Sequence, residues 1–188
     1  MQIGNIIKHV RGRLLHTFGA IDSWFDADAS LLHFDPGAGR WTTAQILEHI
    51  SLTNFYLLLL IEKGAQKAIK TKEKQDLATV LARYHFRRRE LEIVSMPDAF
   101  TWIRPEHMEP SGEALPVVRQ RLKQQVNQCF TCLEKLNDGT GILYKTTMTV
   151  HGLGRLDVYE YIYFLVMHGL RHIDQLEKNA MQFQQKNN

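Results

Sequence analysis

Apolar residues recur at spacings of three and four along most of this chain, so helices must be its main element. Such positions share one face of a helix, whereas a half-buried strand alternates every second residue. Ile3, Ile6, Ile7, Val10, Leu14, Phe18 and Ile21 describe one helix face over about 2–23, and the breaker Asp35-Pro36-Gly37-Ala38-Gly39 follows. Thr42 and Gln45 stand at capping-box spacing. Ile46, His49, Ile50, Thr53, Leu57, Leu60 and Ile61 carry the second helix to about residue 69, with Gly64 weakening its last turns. A more polar third helix is expected over about 73–94, its face formed by Leu77, Val80, Leu81, Tyr84, Leu91 and Val94. Pro97, Pro105 and Pro110 make 96–111 a loop. Val118, Leu122, Val126, Phe130 and Leu133 mark a helix to about Leu136, in which Pro116 fits only the first turn. Asn137 to Gly141 ends it, a loop covers 140–154, and the last helix runs over about 155–183. The best strand candidate, Ile142 to Val150, is short.

The expected fold is all-α: a four-helix bundle with core helices near 2–23, 43–69, 113–137 and 155–183, and an additional helix with long loops between the second and third. With 188 residues, 44% of them hydrophobic, the chain reads as a single domain over 1–188 that buries its own core.

Several function classes are disfavoured. No run of about 18 apolar residues suggests a membrane span, and the first residues lack the pattern of a signal peptide. A net charge of +3 is too mild for the footprint of a nucleic-acid binder. Consecutive Arg87, Arg88 and Arg89 point three ways around a helix and read as a solvated face. Cys129 and Cys132 form a CxxC spacing late in a helical segment with no strand before it. They therefore read as two small, partly buried residues, not as a redox pair. Two reduced thiols and no secretion signal point to the cytoplasm.

The histidines carry the chemistry. His168 and His172, four apart in the last helix, share a face with Tyr161, Leu165 and Leu176, next to the apolar positions Ile162, Val166, Gly169 and Ile173. His49 shares its face with Ile46, Thr53, Tyr56, Leu57 and Leu60. All three rings are expected to point into the core. Two readings stand side by side at this point: three imidazoles converging on one ion, or core histidines bonded to backbone carbonyls. His9, His16, His33, His85 and His107 show no partner pattern; His151 either approaches the site or fixes the loop before the last helix, and its Gly-flanked position favours the loop role.

Three segments resemble the DinB-like metalloproteins: WTTAQILEHI with His49, HGLGRLDVYEYI entering the last helix, and HGLRHIDQL with His168, His172 and Gln175. Together they anchor about 40–188, and the first helix is compatible. The resemblance implies an up-and-down-type four-helix bundle, often dimeric, in which His49, His168 and His172 bind one divalent ion of nickel, zinc or iron. It also implies thiol-dependent S-transferase or isomerase chemistry with a low-molecular-weight thiol. The chain departs from the pattern in an extra polar segment near 70–110 and in Gly169, where a bulkier residue is usual.

Three neutral imidazoles leave an ion its full charge and an open position, which suits a bound thiolate attacking a small electrophile. Hydrolysis of an ester or amide is the runner-up, and a non-enzymatic, stress-related helical dimer with a structural or vestigial metal is the competing class. No protein base is evident. Glu48 lies about 100° around the helix from His49 and Asp174 is turned from His172. Gln45, Thr53, Tyr161 and Gln175 share faces with the ligands and are expected at the pocket mouth. Phe55, Leu58 and Leu59 are apolar residues left over for a homodimer contact. Proton competition for the metal is expected as pH falls through about 6.

Overall fold

The computed structural model describes residues 2–97, 105–148 and 150–187. The chain is mainly helical. Four long helices, α1 (Ile3–Ser23), α3 (Thr43–Lys72), α6 (Leu115–Lys135) and α7 (Val158–Asn187), agree with the predicted core spans to within four residues at each end. Three short ones, α2 (Ala29–Leu32), α4 (Leu77–Ala82) and α5 (Arg88–Glu92), lie between them. α1 and α3 both pack on α6 and on α7. Ile6, Ile7, Val10, Leu14, Phe18 and Ile21 of α1 are buried, as their spacing requires.

Three of the four long helices begin on a recognisable sequence signal. At α3 the Thr42 hydroxyl accepts from Gln45 N at 3.2 Å and Gln45 Oε1 accepts from Thr42 N at 2.9 Å, a complete capping box. α6 carries Pro116 in its first turn, where the missing N–H has no helical partner to lose. α7 opens on a second box, with an acid as cap. Asp157 Oδ1 accepts from Glu160 N at 3.1 Å, and Glu160 Oε2 accepts from Asp157 N at 3.2 Å. Burial, then the neighbouring Glu160 carboxylate, raises Asp157 to about 7.

α7 is the central element. Every residue from Val158 to Gly169 is buried, because α1, α3 and the α5 region cover it from different sides. Gly169 lets α1 come close: a Cβ there would stand 3.1 Å from Ile21 Cδ1 and 3.2 Å from Thr17 Cγ2. The missing side chain is thus a packing choice between α1 and α7, directly after His168.

Three expectations need correction. The helix predicted over 73–94 is broken. α4 ends at Ala82 and α5 starts at Arg88, with Tyr84 to Arg87 outside helical structure. The break turns Phe86 onto Tyr163, ring centroids 5.4 Å apart, and sends Arg87 inward to the buried Glu160. Arg88 and Arg89 are solvated as expected, but Arg87 is not. Leu58, assigned to a partner surface, is 5% exposed and belongs to the core. The short strand candidate forms as β1 (Thr146–Met148), and its antiparallel partner β2 (Gly154–Leu156) was not expected.

α3 is long and apolar enough to cross a membrane by length and composition, yet 61% of its most apolar window is buried within the protein. Packing against α6 and α7 accounts for that apolarity.

Candidate metal centre

α3 and α7 bring three imidazoles together. His49 lies in the second turn of α3, and His168 and His172 follow one another down α7. They are 6%, 2% and 4% exposed. The ring centroids of His49 stand 5.5 Å from His168 and 4.9 Å from His172, and those of His168 and His172 are 4.5 Å apart. One nitrogen from each ring lies within 4.8 Å of the other two. A tetrahedral ion about 2.1 Å from each nitrogen needs ligand nitrogens about 3.4 Å apart. His168 Nε2 and His172 Nε2 already stand at 3.1 Å. The group can therefore hold a metal ion with small side-chain adjustments.

The outer partners orient the lone pairs. His49 Nδ1–H donates to the Met108 carbonyl at 2.8 Å, which leaves Nε2 facing inward, 3.4 Å from the Thr53 hydroxyl. His172 Nδ1–H donates to Gln175 Oε1 at 2.8 Å, which turns its Nε2 toward His168. This is how ligating histidines are usually held: one ring nitrogen donates outward and the other is presented to the ion. The Trp41 ring packs on His49, with centroids 4.5 Å apart, and Asn179 ties the Trp41 carbonyl to α7 at 3.0 Å.

Burial, followed by the neighbouring imidazoles, lowers His168 well below its ordinary value and lowers His172 to about 3. The folded protein thus keeps both rings neutral as pH falls past 6, and proton competition moves to more acidic solution than ordinary imidazoles would give. Neither ring then releases a proton when metal enters between pH 7 and 5. Over that window the affinity is expected to change by no more than roughly tenfold per pH unit, the slope of a single displaced proton. A chelator-competition titration at pH 5, 6 and 7 checks this, and a slope of two or three protons would contradict it. The unfolded chain has no such protection. These two groups therefore cost the metal-free fold stability as pH falls from 6.5 toward 3.

The expected pocket residues are placed as follows. Thr53 and Gln175 touch the histidines directly. Gln45 gives its side-chain oxygen to the α3 cap, and the Tyr161 hydroxyl donates to the Thr147 carbonyl at 2.7 Å. Asp174 is paired with Lys178 at 2.7 Å. The expectation for His151 concerns a side chain outside the described residues. Cys129 and Cys132 are buried free thiols, and burial pushes them up to about 12 and about 11. A cleft of about 490 Å³ beside α4, lined by Arg83, Tyr84, His85, Arg87 and Lys145 among others, shares no residue with the histidine group.

Two partners escaped the sequence reading. Met108 acts through its backbone carbonyl, which no side-chain pattern reveals. Glu48 does point away from the metal group, as expected, but into a loop and not into water. Burial raises its proton affinity, and hydrogen bonds from Ser111, Gly112 and Glu113 outweigh that and hold the carboxyl below its ordinary value.

No curated protein and no solved structure matches the chain. The sequence model of the DinB superfamily matches residues 7–176, a span that runs from α1 into α7 and takes in His49, His168 and His172. A match over that much of the chain, joined to a buried three-histidine group between its helices, makes this protein a member of the DinB superfamily.

Proposed function

We propose that the protein binds one divalent ion of nickel, zinc or iron through His49, His168 and His172, and that it transfers a low-molecular-weight thiol to a small electrophile. The observation that carries the reading is the convergence of one nitrogen from each ring within 4.8 Å, with two of the tautomers fixed from outside. An ion held by three neutral ligands supplies Lewis acidity, lowering the pKa of a coordinated thiol or water. Among the described residues the group contains histidines alone, with no carboxylate in it to serve as base, which favours a substrate that brings an acidic proton of its own. Both cysteines of the chain are buried with raised pKa, so neither suits the nucleophile and the thiol must come from solution. Thr53 and Gln175, with Gln45 and Tyr161 farther out, would line the approach. We read the four long helices as the up-and-down-type bundle that frames this site.

Burial of all three rings favours a second reading, a structural or vestigial metal in a non-enzymatic protein. A thiol titration of the cobalt-substituted protein separates the two. A new sulfur–metal charge-transfer band at millimolar thiol is expected. Its absence would leave the hydrolytic and structural readings.

We also infer a homodimer. Phe55 and Leu59, one turn apart on α3, are each 50% exposed, and such adjacent apolar surface suits a second copy. Light scattering should give twice the chain mass at micromolar concentration, and Phe55→Glu with Leu59→Glu should halve it. A monomeric parent protein overturns the inference.

A further inference from the structure

We infer that Glu48 is a positioning residue of the metal centre, clasping the 108–113 segment so that the Met108 carbonyl sets the tautomer and ring angle of His49. The inference rests on the metal reading for its purpose, though its geometry stands independently.

Glu48 is 2% exposed, and its donors are a hydroxyl and three backbone N–H groups with no cation among them. Oε1 accepts from Ser111 N at 2.8 Å and Ser111 Oγ at 2.9 Å. Oε2 accepts from Gly112 N at 2.9 Å and Glu113 N at 3.2 Å. Gly112 sits at φ 87°, a left-handed conformation that lets successive N–H groups turn toward one anion. Keeping a carboxylate buried is costly, and the four hydrogen bonds offset that cost. Their effect here is to fix where this segment runs.

What that fixes is Met108. Pro105 O accepts from Met108 N at 2.9 Å, forming a tight turn over Glu106–Met108, and Pro110 stiffens the two-residue link, Glu109-Pro110, from Met108 to Ser111. Glu48 and His49 are neighbours on α3, so the helix grips one loop at two adjacent points, by carboxylate at 111–113 and by imidazole at 108. Met108 O accepts only an N–H, so while it stands 2.8 Å from His49 Nδ1 that nitrogen carries the proton and Nε2 is left for the ion. Release of the clasp lets the carbonyl shift, and Nδ1 of His49 is then no longer bound to carry the proton. The turn also touches α3 through Thr53 Oγ1, 3.8 Å from Met108 Sδ, and through the His107 ring edge-on to Tyr56, centroids 4.3 Å apart; both are less directional than the four hydrogen bonds to Glu48.

The test uses the full chain as Glu48→Gln and, as a milder lesion that removes one of the four hydrogen bonds, Ser111→Ala. Gln keeps the size but turns an NH2 toward backbone N–H groups. In the metal-free proteins, two-bond nitrogen–proton spectra of labelled histidine should show His49 protonated on Nδ1 in the parent and as a tautomer mixture in Glu48→Gln. With cobalt as the probe, Glu48→Gln should bind about 10–100-fold more weakly, the range for outer partners of metal ligands. Its visible d–d bands should shift, and Ser111→Ala should fall between. A parent that binds no cobalt defeats the metal reading, while the tautomer spectra still decide the role of Glu48. An unchanged His49 tautomer in Glu48→Gln overturns the inference, as do parent-like cobalt affinity and spectrum.

Discussion

Replacing His168 with alanine is expected to strip the protein of its metal. A first-contact ligand should cost more than the roughly 10–100-fold typical of an outer partner. The reason is geometric. His49 alone ties α3 to the site, whereas His168 and His172 share one helix, so loss of either member of the pair leaves two donors and an incomplete coordination face. His49→Ala and His172→Ala should behave alike. The fold should survive all three, because its core is a continuous apolar cluster across α1, α3, α6 and α7 and does not depend on the ion. Helicity should therefore be retained in the metal-free variants, and metal added to each should raise its melting temperature less than it raises that of the parent. His85, an exposed residue beside the α4 cleft, is the control and should leave occupancy unchanged. Metal content after loading and desalting, measured by plasma mass spectrometry, decides the matter. Equal content in His85→Ala and His168→Ala would return the three rings to the status of core histidines.

The parts of this molecule that were legible in its sequence are those governed by period. The inward faces of α1, α3, α6 and α7 follow from spacings of three and four. The same rule places His49, His168 and His172 on buried faces, and the structure then brings those faces together. What period could not reveal depends on single long-range contacts. Arg87 stood in a basic run that looked solvated, and its inward partners, the Glu160 carboxylate 73 positions later and the Leu153 and Arg155 carbonyls, lie too far along the chain for any local pattern to show. Leu58 shares an apolar run with Phe55 and Leu59, and only the packing of neighbouring helices separates a core position from two exposed ones. The Met108 carbonyl is a backbone group in a loop, 59 positions from the ring it orients. Glu48 was legible as off the metal face but not as a loop anchor, since its partners are backbone N–H groups that any sequence would carry.

The largest stability effect is expected at Arg87. Its guanidinium meets both oxygens of Glu160, with Nε and Nη2 each at 3.0 Å, and donates to the Leu153 and Arg155 carbonyls at 2.9 and 2.6 Å. One side chain thus joins the broken α4–α5 segment, the β2 strand and the first turn of α7. Glu160 is 0% exposed, and so is Asp157, its partner in the α7 capping box. Arg87→Ala leaves two adjacent buried carboxyls without the guanidinium that pairs with Glu160. Breaking a buried pair from one side costs about 3–5 kcal/mol, which for a domain of this size is roughly 10 °C in melting temperature. The loss should grow with pH. Asp157 is already raised to about 7, so its favourable share is fully present below about 4 and is lost as pH rises through 7. Without Arg87, Asp157 should be raised further, because the guanidinium that balances the neighbouring carboxylate is gone. Urea unfolding at pH 5 and pH 8 should therefore show a wider gap between Arg87→Ala and the parent at pH 8. Metal affinity should hardly change, because His168 lies two turns of α7 beyond Glu160. A gap that is the same at both pH values would mean that Arg87 acts by packing and by its carbonyl contacts, and that its charge matters little to Asp157 and Glu160.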